Sequence, residues 1–192
     1  MVVGAGISGI LAAKNAAKNN FKTLLLDEKN ELGGSTIFES NEENKINNKL
    51  ASEWLKKEIR ELKNIKNLEI KTRTSVAAYH QYNYLLAREN LTDHLEKKDK
   101  KNKIRQRLLK IRAKKVILAT GALERPLIFN NNDRPGIILS SAIKKYNNYY
   151  GVACGTKTIF FTNNDSAYES ALSLHNKGIK VEAVIDLSLI HI

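Results

Sequence analysis

Cysteine is nearly absent from this chain: of 192 residues only Cys154 carries a thiol. An internal disulfide is excluded, and so is a redox-active Cys-x-x-Cys pair. Such usage fits a reducing compartment, so a cytoplasmic location is expected, and Cys154 itself reads as a small packed residue. No apolar run approaches the roughly 20 residues that a membrane-spanning helix needs. The N-terminus lacks signal-peptide anatomy. His80 and His94 have no partner at metal-ligand spacing, so no metal is expected. Acids are outnumbered, 20 against 32 basic residues, which leaves a formal charge of +12. The excess is concentrated between Glu96 and Lys115, where eleven lysines and arginines face two acids. That stretch has no interleaved aromatics on which bases could stack, and Lys and Asn are heavy elsewhere too, as in residues 41–49. It reads as a solvated charged loop, with no nucleic-acid partner and no membrane partner expected.

What the chain does have stands at its start. Gly4-Ala5-Gly6-Ile7-Ser8-Gly9 is a G-x-G-x-x-G string behind the β-formers Val2 and Val3. A helix-prone run over residues 10–18 follows, then Thr23-Leu24-Leu25-Leu26 as a buried strand with Asp27 at its end. Strand, glycine turn, helix, strand and acid make up a dinucleotide-binding unit. Gly4 permits the tight turn, Gly6 leaves room for a pyrophosphate, and Gly9 lets helix and strand pack closely. The helix N-terminus, at Ile7 and Ser8, offers N–H groups and a positive dipole end to the phosphates. Asp27, with Glu28 beside it, is expected at the adenosine ribose, where an acid disfavours a 2′-phosphate. Gly33-Gly34-Ser35 comes a few residues later and would let the chain pass close to the dinucleotide.

Further along, residues 50–65 read as an amphipathic helix with Leu50, Trp54, Leu55, Ile59 and Leu62 on one face and Trp54 in the core. Residues 68–70 read as the third parallel strand. Short strand-like segments at 74–79, 84–89 and 108–112 read as an antiparallel meander over about 72–113, with the basic loop at its tip. Val116-Ile117-Leu118 is expected as a fully apolar strand. Ala119, Thr120 and Gly121 end it with small residues at the carboxyl end of the sheet, where open α/β sheets bind ligands. Residues 137–149 read as a helix. Residues 158–161 open a second strand–helix–strand unit whose helix starts at Ser166 and whose second strand ends at Asp186. It has Asn163-Asn164-Asp165 in place of the glycines, with Asp165 expected to cap the helix. The expected architecture is therefore α/β. A Rossmann-like doubly wound parallel sheet over residues 1–150 carries an inserted antiparallel β-meander, and a second nucleotide-fold unit begins over 155–186. Both ends read as incomplete. Leu187-Ser188-Leu189-Ile190-His191-Ile192 resembles the translation of a transposon-end adapter used in making sequencing libraries, so 187–192 is expected to be a non-native tail, and His191 is assigned no function.

The glycine strings, together with Asn90-Leu91-Thr92-Asp93-His94-Leu95, Arg105-Gln106-Arg107-Leu108, Ala119-Thr120-Gly121-Ala122-Leu123-Glu124-Arg125-Pro126, Asn131-Asn132-Asp133-Arg134-Pro135-Gly136 and Thr162-Asn163-Asn164-Asp165-Ser166-Ala167-Tyr168, resemble the α subunits of heterotetrameric sarcosine oxidases. The asparagine-rich strings are the specific part of that resemblance, which runs from Met1 to Asp186. It implies that this segment is the dinucleotide domain of a larger subunit, with a ferredoxin-like region before it and a folate-binding region after it. It implies NAD in the site, with FAD as the alternative in the same place, and partners in the other subunits of a hetero-oligomeric oxidase. Amine oxidation would take place at a flavin associated with another subunit, and no catalytic residue falls in this segment. The competing readings are a stand-alone FAD-dependent NAD(P)H reductase of the disulfide-reductase type, a subunit of a related amino-acid dehydrogenase, and a basic nucleic-acid-binding protein.

Overall fold

In the computed structural model, which describes residues 1–38 and 45–188, the chain opens with strand β1 (Val2–Val3) and helix α1 (Ile7–Lys18). Gly9, Ala13 and Ala17 recur at four-residue spacing on α1 with Ile10 beside them, and all four are buried. This face of small side chains lets the helix lie close to the sheet. The helix stops where Asn20 turns left-handed at φ 64°; the N–H groups of Asn20 and Phe21 then return to the carbonyls of Ala17 and Ala16, a stop that asparagine tolerates. Strand β2 (Thr23–Leu26) and a 3₁₀ turn at Gly34–Ile37 follow. Strands β3 (Lys45–Ile46) and β4 (Lys49–Leu50) form a hairpin through the left-handed Asn47 and Asn48. Part of the Lys- and Asn-rich stretch at residues 41–49 is therefore a hairpin, and residues 39–44 lie outside those described. Helix α2 (Ala51–Lys63) buries Trp54, Leu55 and Leu62, so Trp54 does belong to the core.

Strand β5 (Leu68–Lys71) then leads into β6 (Thr74–His80) and β7 (Tyr84–Asn90), with the short helix α3 (Lys97–Lys100) ahead of β8 (Gln106–Arg112) and β9 (Ile117–Leu118). Four strands pair in parallel in the order β5-β2-β1-β9. The chain thus lays down its third, second, first and fourth parallel strands side by side, as a doubly wound sheet does. Strands β6, β7 and β8 form the antiparallel meander. Ile10, Leu25, Leu26, Leu62 and Leu85 are wholly buried, each contributing about 1.5–3 kcal/mol relative to exposure. These elements, Met1–Thr36 with Lys45–Gly121, form one compact unit.

Strand β9 is apolar yet exposed, Ile117 by 44 % and Leu118 by 58 %, because β9 is one of the two outer strands of the four. One feature of this unit differs from expectation. The basic loop does not sit at the far tip of the meander. That tip is the Gln81–Asn83 turn, where Tyr82 and Asn83 are left-handed. The loop instead joins Asn90 to Gln106, which are paired across β7 and β8, at the end where Thr74 donates to the Asp27 carbonyl at 2.8 Å. Asp93 closes its base by accepting from Arg105 Nε, Gln106 Nε2 and Asn90 Nδ2 at 2.5, 2.9 and 3.0 Å. The Arg105 guanidinium holds the Asp93 carboxyl below the usual carboxylate range.

The second unit comprises, among the described residues, 37–38 and 122–188. It holds α4 (Ser140–Asn148), β10 (Lys157–Thr162), α5 (Ser166–His175) and β11 (Lys180–Asp186), with β10 and β11 parallel. Its core is Ile143, Phe160, Ala167, Ala171, Leu174 and Ile179. Helix α4 starts later than residue 137. The Glu124 carboxylate accepts from Ser140 N at 3.0 Å and from Ser141 N at 2.7 Å, which fixes the first turn there. Asp165 makes no side-chain cap on α5; Asn164 does so instead, its Oδ1 accepting from Ser166 N at 3.0 Å and from Ser166 Oγ at 2.5 Å. Cys154 is exposed, not packed.

Candidate functional site

Four segments meet at the glycine turn. Gly4 has φ +95°, and a Cβ on it would stand 2.2 Å from the Ala119 carbonyl oxygen. A Cβ on Gly9 would stand 1.8 Å from the Gly4 oxygen and 3.3 Å from Ala119 Cβ. These two glycines let β1, α1 and the end of β9 touch backbone to backbone. Gly6 is of another kind. A Cβ there would meet only Gly34 Cα, at 4.0 Å, and its backbone is extended with φ −70°. Gly34 crosses over it with φ +61°, and a Cβ on Gly34 would come within 2.9 Å of Gly6 Cα. The crossing is pinned by Gly33 N–H, which donates to the Ala5 carbonyl at 2.7 Å. Ala119 N–H donates to Val3 at 2.7 Å and continues the ladder beyond β9; Thr120 Cα also lies against Gly4. Gly121, at φ +72°, has open space around it.

Helix α1 begins at Gly6 with no side-chain cap and no acid in its first turn. Its first N–H groups are left bare by the side chains, and Ser8 is exposed. The turn therefore fits the pyrophosphate of an adenine dinucleotide: there is space over Gly6, a positive helix end beside it, and no acid in the first turn of α1.

Asp27 lies at the centre of this arrangement but is only 9 % exposed. Its Oδ2 accepts from Ala5 N at 2.6 Å and its Oδ1 from Lys29 N at 2.8 Å. The acid thus ties the glycine turn to the end of β2, an arrangement that no spacing in the sequence announces. Glu28 follows Asp27 at the same strand end but is not buried. It is exposed and lines a cavity of about 470 Å³ with Lys29, Asn30, Arg73, Ser75 and Arg88. Ser35 is exposed on the 3₁₀ turn. Arg73, Ser75 and Arg88 were not singled out from sequence; the one available signal was the meander register, which pairs Ser75 with Arg88. A second cavity of about 610 Å³ lies at β5, between Leu32, Ile59, Leu68 and Ile70. Neither cavity takes in any of the glycines, so volume alone is a poor guide to this site.

Among the described residues no helix is long and apolar enough to cross a membrane, and no group of three or more His, Cys, Asp or Glu side chains could hold a metal ion.

The chain matches the model of the pyridine nucleotide-disulphide oxidoreductase family over residues 1–191. It is 41 % identical over 186 residues to the sarcosine oxidase subunit alpha of Corynebacterium sp. (strain P-1), and 35 % identical over 186 residues to that of Rhizobium meliloti (strain 1021). These alignments cover 97 % of this chain but 19 % and 18 % of the relatives. The chain thus spans about a fifth of the length of the curated relatives it matches. Among solved structures, L-proline dehydrogenase from P. horikoshii superposes with a TM-score of 0.75 at 26 % identity, covering 96 % of this chain and 34 % of that one. Lactococcus lactis thioredoxin reductase, at 20 % identity and TM-score 0.54 over 99 % of this chain and 58 % of its own, shares the fold.

Proposed function

Because the chain belongs to the pyridine nucleotide-disulphide oxidoreductase family, we propose that it is the dinucleotide-binding segment of a sarcosine oxidase α subunit. In this reading it works within a cytoplasmic hetero-oligomeric complex. That complex oxidatively demethylates sarcosine to glycine, forms hydrogen peroxide and passes the one-carbon unit to tetrahydrofolate. The observation that carries the binding role is the crossing of two bare backbones at Gly6 and Gly34 beside an uncapped helix start. The similarity to sarcosine oxidase α subunits over 97 % of the chain supports the choice of complex.

In this reading the N–H groups of Gly6, Ile7, Ser8 and Gly9 receive the pyrophosphate. Gly33, Gly34 and Ser35 close over it, Ala119, Thr120 and Gly121 border its far side, and Asp27 and Glu28 lie at the ribose. NAD is the proposed occupant, with FAD as the alternative in the same site, since both present the same ADP half. The segment supplies no catalytic residue. The dinucleotide would supply hydride or electron chemistry when bound; the chain's own contribution is to hold and orient it. Mass spectrometry of the small molecule released from the full-length complex tests this. NAD is the expected result; FAD would reassign the occupant, and release of no dinucleotide would overturn the reading.

A further inference from the structure

The parallel sheet ends on one side in β5, which pairs with β2 alone among the described strands. The Asn67 carbonyl accepts from Thr23 N at 2.9 Å, and the Lys71 carbonyl from Asp27 N at 3.0 Å. Asn67, Glu69 and Lys71 therefore turn their backbone groups toward β2, while Leu68, Ile70 and Thr72 turn theirs outward. The Leu68 N–H is met by the Ile65 carbonyl at 3.2 Å. The N–H and carbonyl of Ile70 face no further strand among the described residues, so the middle of β5 is an open edge. Leu68, Ile70 and Thr72 also line the 610 Å³ cavity together with Ile59 and Leu32. An apolar recess thus lies beside the open edge.

Edge strands are commonly protected by charge, lysine above all. Strand β8, at the edge of the meander, follows that rule: its charged residues Arg107, Lys110 and Arg112 are all basic. Strand β5 does not. It reads Leu68-Glu69-Ile70-Lys71, with one acid and one base set evenly about Ile70. The Glu69 side chain is 61 % exposed and stands 3.5 Å from Lys71, whose nearer partner is Glu89 at 3.1 Å. Glu69 is therefore free to meet a second cation. An antiparallel copy of the same strand, centred on Ile70, sets Glu69 opposite Lys71 of the copy and Lys71 opposite Glu69 of the copy. Ile70 exchanges N–H and carbonyl bonds with its counterpart, and the two charge pairs fall at the flanking positions, where opposed side chains come closest.

We propose that β5 is an interaction surface for a second copy of this chain, joined edge to edge about a two-fold axis at Ile70. Such a contact must be self-complementary, and the order of acid, isoleucine and base meets that condition. A parallel copy would set Glu69 against Glu69 and Lys71 against Lys71. The contact is short, at the low end of specific interfaces, so a dissociation constant on the order of 100 µM is expected. The proposal goes beyond the dinucleotide-binding reading and does not depend on it.

Sedimentation of the full chain over a concentration series reads the self-association. The wild type is expected to pass from monomer to dimer as concentration rises through that value. Glu69→Lys, at an exposed position, sets like charge against Lys71 of the copy and should weaken the dimer at least about 10-fold with an unchanged melting temperature. Lys71→Glu should weaken it likewise through Glu69. The two variants mixed should dimerise about as well as the wild type, because each carries the charges that the other needs. A wild type that stays monomeric at roughly tenfold the expected dissociation constant overturns the proposal. So does a Glu69→Lys chain that dimerises as the wild type does, which would put self-association on another surface. Two folded variants that fail to associate when mixed overturn it as well. Lys71→Glu also breaks the ion pair to Glu89; if that chain does not fold, the Glu69→Lys result decides alone.

Discussion

The chain contains the same local plan twice, and the two copies are finished differently. In the first, α1 starts at a bare Gly6, and the acid at the end of the next strand bonds back to the turn through Ala5 N. In the second, Asn164 Oδ1 covers the first N–H of α5. The acid there, Asp186, accepts from Tyr168 Oη at 3.0 Å and from Ser188 N at 2.8 Å. Hydrogen bonds from Ser188, with Tyr168 adding to them, hold that carboxyl below its usual range. Helix α4 of the same unit is likewise closed, by Glu124. A strand–helix–strand–acid skeleton is therefore a folding solution, and a phosphate site needs a bare helix start in addition. An oxygen at the helix end takes up the N–H groups a phosphate would need and places partial or full negative charge where the phosphate would sit.

The strongest way to break the comparison is Gly9→Ala. Its new methyl would lie 1.8 Å from a backbone oxygen and 3.3 Å from Ala119 Cβ, so β1 and α1 must separate. A loss of roughly 4 kcal/mol or more is expected, read as a collapse of the thermal unfolding transition. Gly6→Val should behave in the opposite way. A Cβ at this position meets only Gly34 Cα, at 4.0 Å, so the melting temperature should hold, while dinucleotide affinity falls by roughly a hundredfold or more, about 2.7 kcal/mol. Equal affinity in this variant would place the ligand away from the turn. Taken together the pair separates packing glycines from the binding glycine, a division the G-x-G-x-x-G string cannot make by itself.

Most of the parallel sheet was legible because β1, β2 and β9 are apolar runs and β5 alternates apolar with charged residues, and the glycine spacing marks the crossing from β1 to α1. What escaped depends on partners distant in sequence. The exposure of Ile117 and Leu118 follows from strand order, not from their own apolar character. The basic loop was placed at the wrong end of the meander because lysine content says nothing about which hairpin end meets the parallel sheet; the pairing of Asn90 with Gln106 does. Asp165 looked like the cap of α5 by residue type, yet the residue before it has the geometry. Glu124 reaches its helix across sixteen residues, so no local pattern reveals it. The bonds of Asp27 to Ala5 and Lys29 are a tertiary fact of the same sort.

The capped side of the comparison can be sharpened with Glu124→Ala. Loss of the side-chain cap on α4 should cost about 1 kcal/mol, measured by chemical denaturation near neutral pH. Burial raises the Glu124 carboxyl, but hydrogen bonds from Ser141 and Ser140 outweigh it and hold it below its ordinary value near 4.5. A carboxyl lowered in the folded state stabilises fully above its unfolded value, and that contribution is lost as pH falls through the lower folded value. The difference between wild type and Glu124→Ala should therefore be constant from neutral pH down to about 5 and shrink below that. A difference that grows on acidification would show that the carboxylate is not the cap.

The smallest expected effect is also the most pointed. Asn164→Ala removes the oxygen that meets Ser166 N and Ser166 Oγ, and the cost should be about 0.5 kcal/mol, since the site is exposed and water can replace the bond. Uncovering the helix start should not create a second binding site. The α1 site has three further features that the α5 site lacks. A second glycine pair crosses the first turn there, the first turn of α1 is free of acid where α5 has Glu169, and Asp27 bonds to the turn instead of to a tyrosine. Equilibrium dialysis of the full chain against labelled NAD should return one bound molecule for the wild type and one for Asn164→Ala. A value near two in the wild type that falls to one in the variant would mean that Asn164 holds a ligand, and that the second copy of the plan is a site after all.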